Sequence, residues 1–525
     1  MSGPKETAGD NATQYHPLAI DSAGTGFWGW IDRRAEQVSG WLNPILIKEA
    51  RQSLKSRQFL VTFFLLLIAS CVWTVLGVVS NAPNVYYLPT GANLLAGYYL
   101  VLAIPLIGIV PLAAHRSLAT EIEDDTFEML VITRLSAARI VMGKLNSAML
   151  QMVVYFAVIV PCIAFSYLLR GITLPTIAML ILIVFMTALL VTSVALMLAT
   201  LAPHRAGQTL ATLAVVGVIL VAQLTCGTFC MGPILYTGFQ DITGLIIATG
   251  IYMLISLSSV VLLIKAAAAR IAPVTENRST GLRWCMFNQQ LLWIAVIGSL
   301  VEYYDVRQIL GFGAIIASIY WLLMGTLMLS ESRELSPRVQ RGLPCTFASR
   351  SLLTWFNPGP DTGYMFAIAT GTVGAAAFGI FGLSSHSRTG SSMEPIVLAV
   401  VGIGYLMAYL GVTRLIVMPI SRRLGPSLIL SITVCVVLLT LGLIIPFLLS
   451  AFVTVQTSNG YSLLNLSNWA WTISESTSSG FDPAIAVLLL IVGLFITAIN
   501  LLLVFRALEY RRITVPVRVR QDRGE

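Results

Sequence analysis

The stretch Ile181-Leu-Ile-Val-Phe-Met-Thr-Ala-Leu-Leu-Val191 decides the fold. Only Thr187 interrupts it, so neither the period-two alternation of a half-buried strand nor the polar stripe of a surface helix is present. Val397 to Met407 reads the same way, apolar on nearly every face. Followed outward, such runs reach about twenty residues, the length a helix needs to cross a hydrocarbon layer of about 30 Å. The whole chain agrees: of 525 residues 57% are hydrophobic and 11% charged, with a mean hydropathy of +0.84. A soluble protein would carry roughly a quarter charged residues. A soluble enzyme, a disordered chain and a fibrous repeat are excluded, and the missing alternation excludes a transmembrane β-barrel. The expected class is all-α, a polytopic helical membrane protein.

Apolar windows fall near 59–79, 94–114, 146–169, 175–199, 208–228, 243–264, 285–301, 309–329, 364–383, 395–418, 427–450 and 484–505, about twelve transmembrane helices, of which the seventh is the shortest. Lys and Arg accumulate in cytoplasmic loops. Of the 32 basic residues, 29 lie in alternate connections and the two ends, and only Arg170, Arg307 and Arg388 in the others. Both termini are therefore expected to be cytoplasmic. No secretory signal precedes the first apolar run near Phe59, which agrees. The net charge of +8 belongs to a membrane face and its lipid, and calls for no nucleic-acid partner.

Four regions follow: a cytoplasmic lead and interfacial elbow over 1–58, a six-helix unit over 59–264, a second six-helix half over 265–505 and a basic tail over 506–525. In the elbow, Asn43-Pro44 reads as an N-cap with proline at the first helical position. Leu42, Ile45, Leu46, Ala50 and Leu54 then share one side, with Lys48, Arg51, Gln52 and Lys55 largely on the other.

The connection after the second span runs from His115 to Lys144. Thr120 and Glu123 have capping-box spacing, and Asp124 and Asp125 would stand in a first turn, where the helix dipole favours negative charge. Phe127, Leu130 and Val131 would line one face of a short amphipathic helix near 120–133, with Glu121, Asp124, Asp125 and Glu128 on the other. Ser136 is placed to cap the third span, with Lys144 snorkelling to the interface. By physics alone this helix is a plain connector or a docking surface.

Glu121-x-Glu123-x-x-Thr126-Phe127-Glu128-x-Leu130, followed by Leu135-Ser136-x-x-x-Ile140-Val141-x-Gly143-Lys144, resembles the signature after the second span of type 2 ABC exporter permeases, the transmembrane subunits of ABC transporters. The approach through Asn43, Pro44, Lys48, Glu49 and Arg51 resembles the entry to their first span. Asp125 stands where the family commonly has glycine and Arg134 where it has proline, which bears on local turn geometry. The resemblance implies six helices per permease unit, an interfacial elbow, and an inner helix contacting a cytosolic ATPase. It places Glu121, Glu123, Thr126, Phe127, Glu128 and Leu130 on the ATPase-coupling surface, with Gly143 and Lys144 at the start of the third span.

The sequence itself offers no chemistry to set against this. No G-x-x-x-x-G-K-[ST] occurs, so ATP-Mg would be bound by a separate subunit, and no cofactor, metal set or catalytic residue is expected in this chain. The histidines at 16, 115, 204 and 386 match no zinc spacing, and no G-x-S-x-G elbow is present. Seven cysteines are scattered, and the one pair sharing a helical face, Cys226 and Cys230, reads as packing rather than a disulfide. The 24 acidic residues all fall outside the middle of the spans, whereas an ion-coupled carrier usually keeps a carboxylate at membrane depth.

In the second half, the connection from Glu331 to Gly363 follows two spans as the first does but lacks the T-F-E-x-L and G-K elements. It reads as a degenerate repeat in preference to an unrelated bundle. Gly363, Ala367, Gly371, Ala375 and Gly379 recur every four residues, a stripe for close helix packing or a path lining. Ala451 to Asp482, with Trp469 and Trp471, is an interfacial loop that either caps an exit or simply connects. Pro105, Pro111, Pro161 and Pro446 can kink their spans.

The leading expectation is a non-enzymatic permease subunit of an ATP-driven exporter in a bacterial inner membrane, partnered by a cytosolic ABC ATPase. A second permease chain is left open. The rivals are a secondary active transporter and a non-transporting scaffold or regulator with a permease-like fold.

Overall fold

The structure is a computed structural model that describes residues 44–83, 87–124, 136–201, 205–232, 242–273, 276–304, 308–333, 335–341, 354–389, 394–453, 463–477 and 481–507. Among these residues there is no strand, and twelve helices are long and apolar enough to cross a membrane. The protein is an all-α, polytopic membrane protein. A short helix α1 (Pro44–Leu54) comes first. The first half follows as α2 (Arg57–Ser80), α3 (Gly91–Glu123), α4 (Ala137–Leu168), α5 (Leu174–Ala199), α6 (Arg205–Gly232) and α7 (Ile242–Ile271). The second half comprises α8 (Thr280–Tyr304), α9 (Gln308–Met328), α10 (Pro360–Thr389), α11 (Glu394–Leu424), α12 (Leu428–Val453) and α13 (Pro483–Ala507).

Each predicted span has its helix, and several helices outrun their apolar window at the basic end of the bundle. Hydropathy marks where lipid stops, whereas a helix continues until a cap or breaker ends it. The window near 94–114 belongs to a helix ending at Glu123, and that near 146–169 to one starting at Ala137. The short seventh window lies in a helix of 25 residues, about 37 Å long at 1.5 Å per residue.

In the first half α3 and α5 are the most buried helices, and in the second α9 and α11. Around them most pairings occur twice, α4 with α7 being the exception. α2 packs on α3 and α4, α3 on α4, α5 and α6, α4 on α5, and α5 on α6 and α7. Shifting every label by six reproduces each of these contacts in the second half, from α8 with α9 through α11 with α13. The halves meet chiefly along α7 and α8, where the Gln289 amide donates to Ser259 Oγ at 2.9 Å. α2, α6 and α12 turn most of their apolar side chains outward, as lipid-facing helices do.

Local chemistry shapes two crossings. Pro105 has no N–H to give and its ring crowds the preceding turn, and α3 widens into a π-helical stretch over Ile104–Ile109. Gln223 of α6 donates to the Ala103 carbonyl at 2.8 Å, bracing that widened turn. α11 and α13 cross with backbones almost touching: a Cβ on Gly493 would stand 2.9 Å from the Gly404 carbonyl oxygen.

Within the connection before α13, residues 463–477 are folded. A 3-10 turn (Leu463–Ser467) leads to a short helix (Trp469–Glu475) whose N-cap, Asn468, accepts from the Trp471 N–H at 3.0 Å. Trp469 donates to Leu439 O at 3.2 Å, and Tyr405 and Tyr409 donate to Leu466 O and Ser467 O at 2.8 and 2.6 Å. The segment is thereby docked on α11 and α12.

Candidate functional site

At the basic end of the first half three helices converge on one ammonium group. Lys144 lies two turns inside α4 with its side chain 3% exposed. Its Nζ stands 3.3 Å from Glu49 Oε1 of α1 and 3.0 Å from Glu121 Oε1 of α3, and donates to Ser117 Oγ at 2.8 Å. Ser53 of α1 and Ser147 of α4 add a hydroxyl contact at 3.3 Å. Removing one partner of so enclosed an ion pair costs about 3–5 kcal/mol. The expectation that Lys144 snorkels is therefore corrected. Docking of α1 across the helix roofs over the route to water, and two carboxylates take the place of solvent.

The elbow carries the polarity read from its sequence. The helix begins at Pro44, Ile45 and Ala50 are buried, and Lys48, Arg51, Gln52 and Lys55 are exposed. Asn43, the expected cap, lies outside the described residues. Glu49 is the residue whose pattern was silent: it faces inward, toward Lys144.

The capping box expected at Thr120 and Glu123 is not formed. α3 runs unbroken to Glu123, and the Asp124 N–H closes its last turn on the Thr120 carbonyl at 2.9 Å. No breaker stands between Pro111 and Asp124, and Leu118 and Ala119 share an apolar cluster with Val141 and Leu145 of α4, which extends the helix beyond its apolar window. Glu121 consequently sits at a helix C-terminus, where the dipole disfavours it. Lys144 offsets that charge. Glu123 and Asp124 are exposed. Ser136 is the N-cap residue of α4 with extended backbone, but its side chain makes no capping bond. Gly143 is buried beside Lys144 in α4. Thr126, Phe127, Glu128 and Leu130, with the expected amphipathic helix over most of its length, lie outside the described residues.

Two residues before Ser117, a residue to which sequence reasoning gave no role ties the same end together. His115 is fully buried, its Nδ1 3.0 Å from Ala195 O of α5 and its Nε2 3.2 Å from Thr212 Oγ1 of α6. The only sequence signal was a histidine directly after an apolar window, followed by Arg116 and Ser117. Farther into the bundle, Cys226 and Cys230 are unbridged with sulfurs 3.9 Å apart, and Thr187 Oγ1 stands 2.6 Å from Tyr252 OH. No group of three or more potential metal ligands occurs among the described residues.

The second half is tied differently at its basic end. Arg283, near the start of α8 and 1% exposed, pairs with Glu331 Oε2 at 2.7 Å and donates to Thr362 Oγ1 at 3.1 Å, to Gly359 O at 3.1 Å, to Trp355 O at 2.7 Å and to Asn357 O. The Gly359 N–H also donates to Glu331 at 2.7 Å. A 3-10 turn (Thr354–Phe356) is thereby held onto the bundle, with Phe356 stacked on Trp284 at 4.3 Å. Beside it Arg414 of α11 bonds Asp361 of α10 at 2.5 Å and Asn500 Oδ1 of α13 at 2.8 Å, and lies over the Tyr364 ring at 5.1 Å.

The small-residue stripe is buried between α9 and α11. A Cβ on Gly363 would fall 2.7 Å from Met328 Cβ, one on Gly371 2.4 Å from Leu406 Cδ2, and one on Gly379 3.1 Å from Ala399 Cβ. Ala367 and Ala375 are fully enclosed. In these positions the stripe serves helix packing.

No protein-family model matches this chain and no curated protein is similar to it, so sequence and geometry together place it as a multi-pass, all-helical membrane protein.

Proposed function

We propose that the chain is the permease subunit of an ATP-driven exporter in a bacterial inner membrane, working with a separate cytosolic ABC ATPase that binds ATP-Mg. The observation that carries this reading is the Lys144 junction. Glu121 and Lys144 come from the two flanks of the segment that resembles the family's coupling element, and Lys144 meets Glu121 at 3.0 Å and the elbow's Glu49 at 3.3 Å. A push delivered to the 125–135 segment would reach α3, α4 and α1 as one body, because buried ionic contacts and packed side chains do not stretch. α3 carries that motion to its π-helical stretch, where the altered hydrogen-bond register provides a place to bend. In this reading the chain performs no covalent chemistry, and its two halves are unequal partners of the ATPase.

The test is purification of the full chain from its native membrane in mild detergent, with identification of what accompanies it. A Walker-motif ATPase in fixed ratio is expected, and Phe127→Ala with Leu130→Ala should release it. A preparation without the ATPase that still transports under a proton gradient would instead establish a secondary carrier.

A further inference from the structure

The outer face of α1 has no role in the Lys144 junction. Lys48, Arg51 and Lys55 follow one another at helical spacing and line, with Ile47 and Gln52, a shallow open depression on the protein surface. All three cations are exposed, and none has an ion-pair partner among the described residues. The one acid of the helix, Glu49, is turned to the opposite side and committed to Lys144. The face is thus uniformly cationic, and it is held at a fixed place by Glu49–Lys144 and Ser53–Ser147.

Its position relative to the lipid-facing surface selects a ligand. α2 begins at the exposed Arg57, and from Leu60 it turns Leu60, Val61, Phe64 and Leu65 outward, each about half exposed or more. The cationic depression therefore borders the start of an apolar band, as a headgroup site borders the acyl-chain region. A soluble anion would use only the charges, whereas a phospholipid uses the charges and the adjoining apolar surface. We infer that Lys48, Arg51, Gln52 and Lys55 form a binding site for the headgroup of an anionic phospholipid, whose acyl chains lie along α2.

The inference is tested with the purified full-length protein in an uncharged detergent, titrated with a fluorescently tailed phosphatidylglycerol and, as reference, phosphatidylcholine with the same tail. Wild type should prefer phosphatidylglycerol. Lys48→Gln with Arg51→Gln and Lys55→Gln should weaken that lipid by roughly fivefold per charge, on the order of a hundredfold in all. The charge-preserving exchange K48R/R51K/K55R should keep the preference, which separates loss of charge from misfolding. Removing two exposed charges in the other half, R422Q/R423Q, should leave it unchanged. Three results would overturn the site: a neutralised triple variant that binds as wild type does, an equal loss in R422Q/R423Q, which means diffuse charge alone, or displacement of the lipid by inorganic phosphate at equal concentration, which means a soluble-anion site.

Discussion

The two halves of the molecule share most of their helix pairings, yet they tie their basic ends with different cations. In the first half a single ammonium, Lys144, holds two carboxylates and a serine across three helices. In the second half one guanidinium group, Arg283, gathers backbone carbonyls from the connection, those of Trp355, Asn357 and Gly359, while Arg414 joins Asp361 of α10 to Asn500 of α13. Lysine is a compact point charge that joins what surrounds it, whereas arginine's planar fork holds several acceptors in fixed directions. The difference teaches that a common packing scheme does not give both halves a common mechanical role. Among the described residues, Lys144 forms a joint between helices, whereas Arg283 forms a clamp on a connection.

The largest effect should come from breaking the clamp. Arg283→Met strands Glu331 and three carbonyls in a buried site and should cost about 3–5 kcal/mol, read as a lowered thermal unfolding midpoint in a fixed detergent. Lys144→Met leaves Glu49 and Glu121 facing each other and should cost about 3 kcal/mol. Its distinctive signature is that α1 becomes accessible to limited proteolysis while the second half keeps its protection. Equal losses with equal protease patterns would abolish the distinction between clamp and joint. Next in size, Gly493→Leu forces a side chain against the Gly404 backbone and should cost about 1–3 kcal/mol or more. Gly217→Leu in α6, where nothing stands within 4 Å of a Cβ, should be near neutral in the same assay. Glu49→Gln keeps Glu121 as Lys144's partner and should cost about 1–2 kcal/mol. Combined with Lys144→Met it should be non-additive by about 1 kcal/mol. Thr212→Val removes one hydrogen bond from His115 and should cost about 1 kcal/mol, the smallest of these effects.

These contrasts also show where sequence reading stops. The polarity of α1 was legible because Lys48, Arg51, Gln52 and Lys55 share a face by spacing alone. Glu49 was not, since a lone acid on a basic helix reads equally well as solvated. Thr120 and Glu123 matched a capping box, but the same two residues fit the last turn of a helix whose Leu118 and Ala119 are drawn into a core. His115 gave no motif because its partners are a backbone carbonyl of α5 and a hydroxyl of α6, 80 and 97 residues away. Arg283 and Arg414 were counted as loop charges at the basic face, and their burial follows from neighbours that approach only after the bundle has formed.

The sequence by itself determined the number of crossing helices and the basic end of the bundle, because hydropathy and charge are sums over adjacent residues and need no partner to be evaluated. The tertiary structure alone decided that Lys144 is a junction rather than an interfacial lysine, that the Gly363–Gly379 stripe lies between α9 and α11, and that the two halves share most of their helix pairings. Those properties are set by contacts between residues 95 positions apart for Glu49 and Lys144 and 86 for Arg414 and Asn500. A side chain's solvent, and hence its role, is fixed only when such distant segments meet.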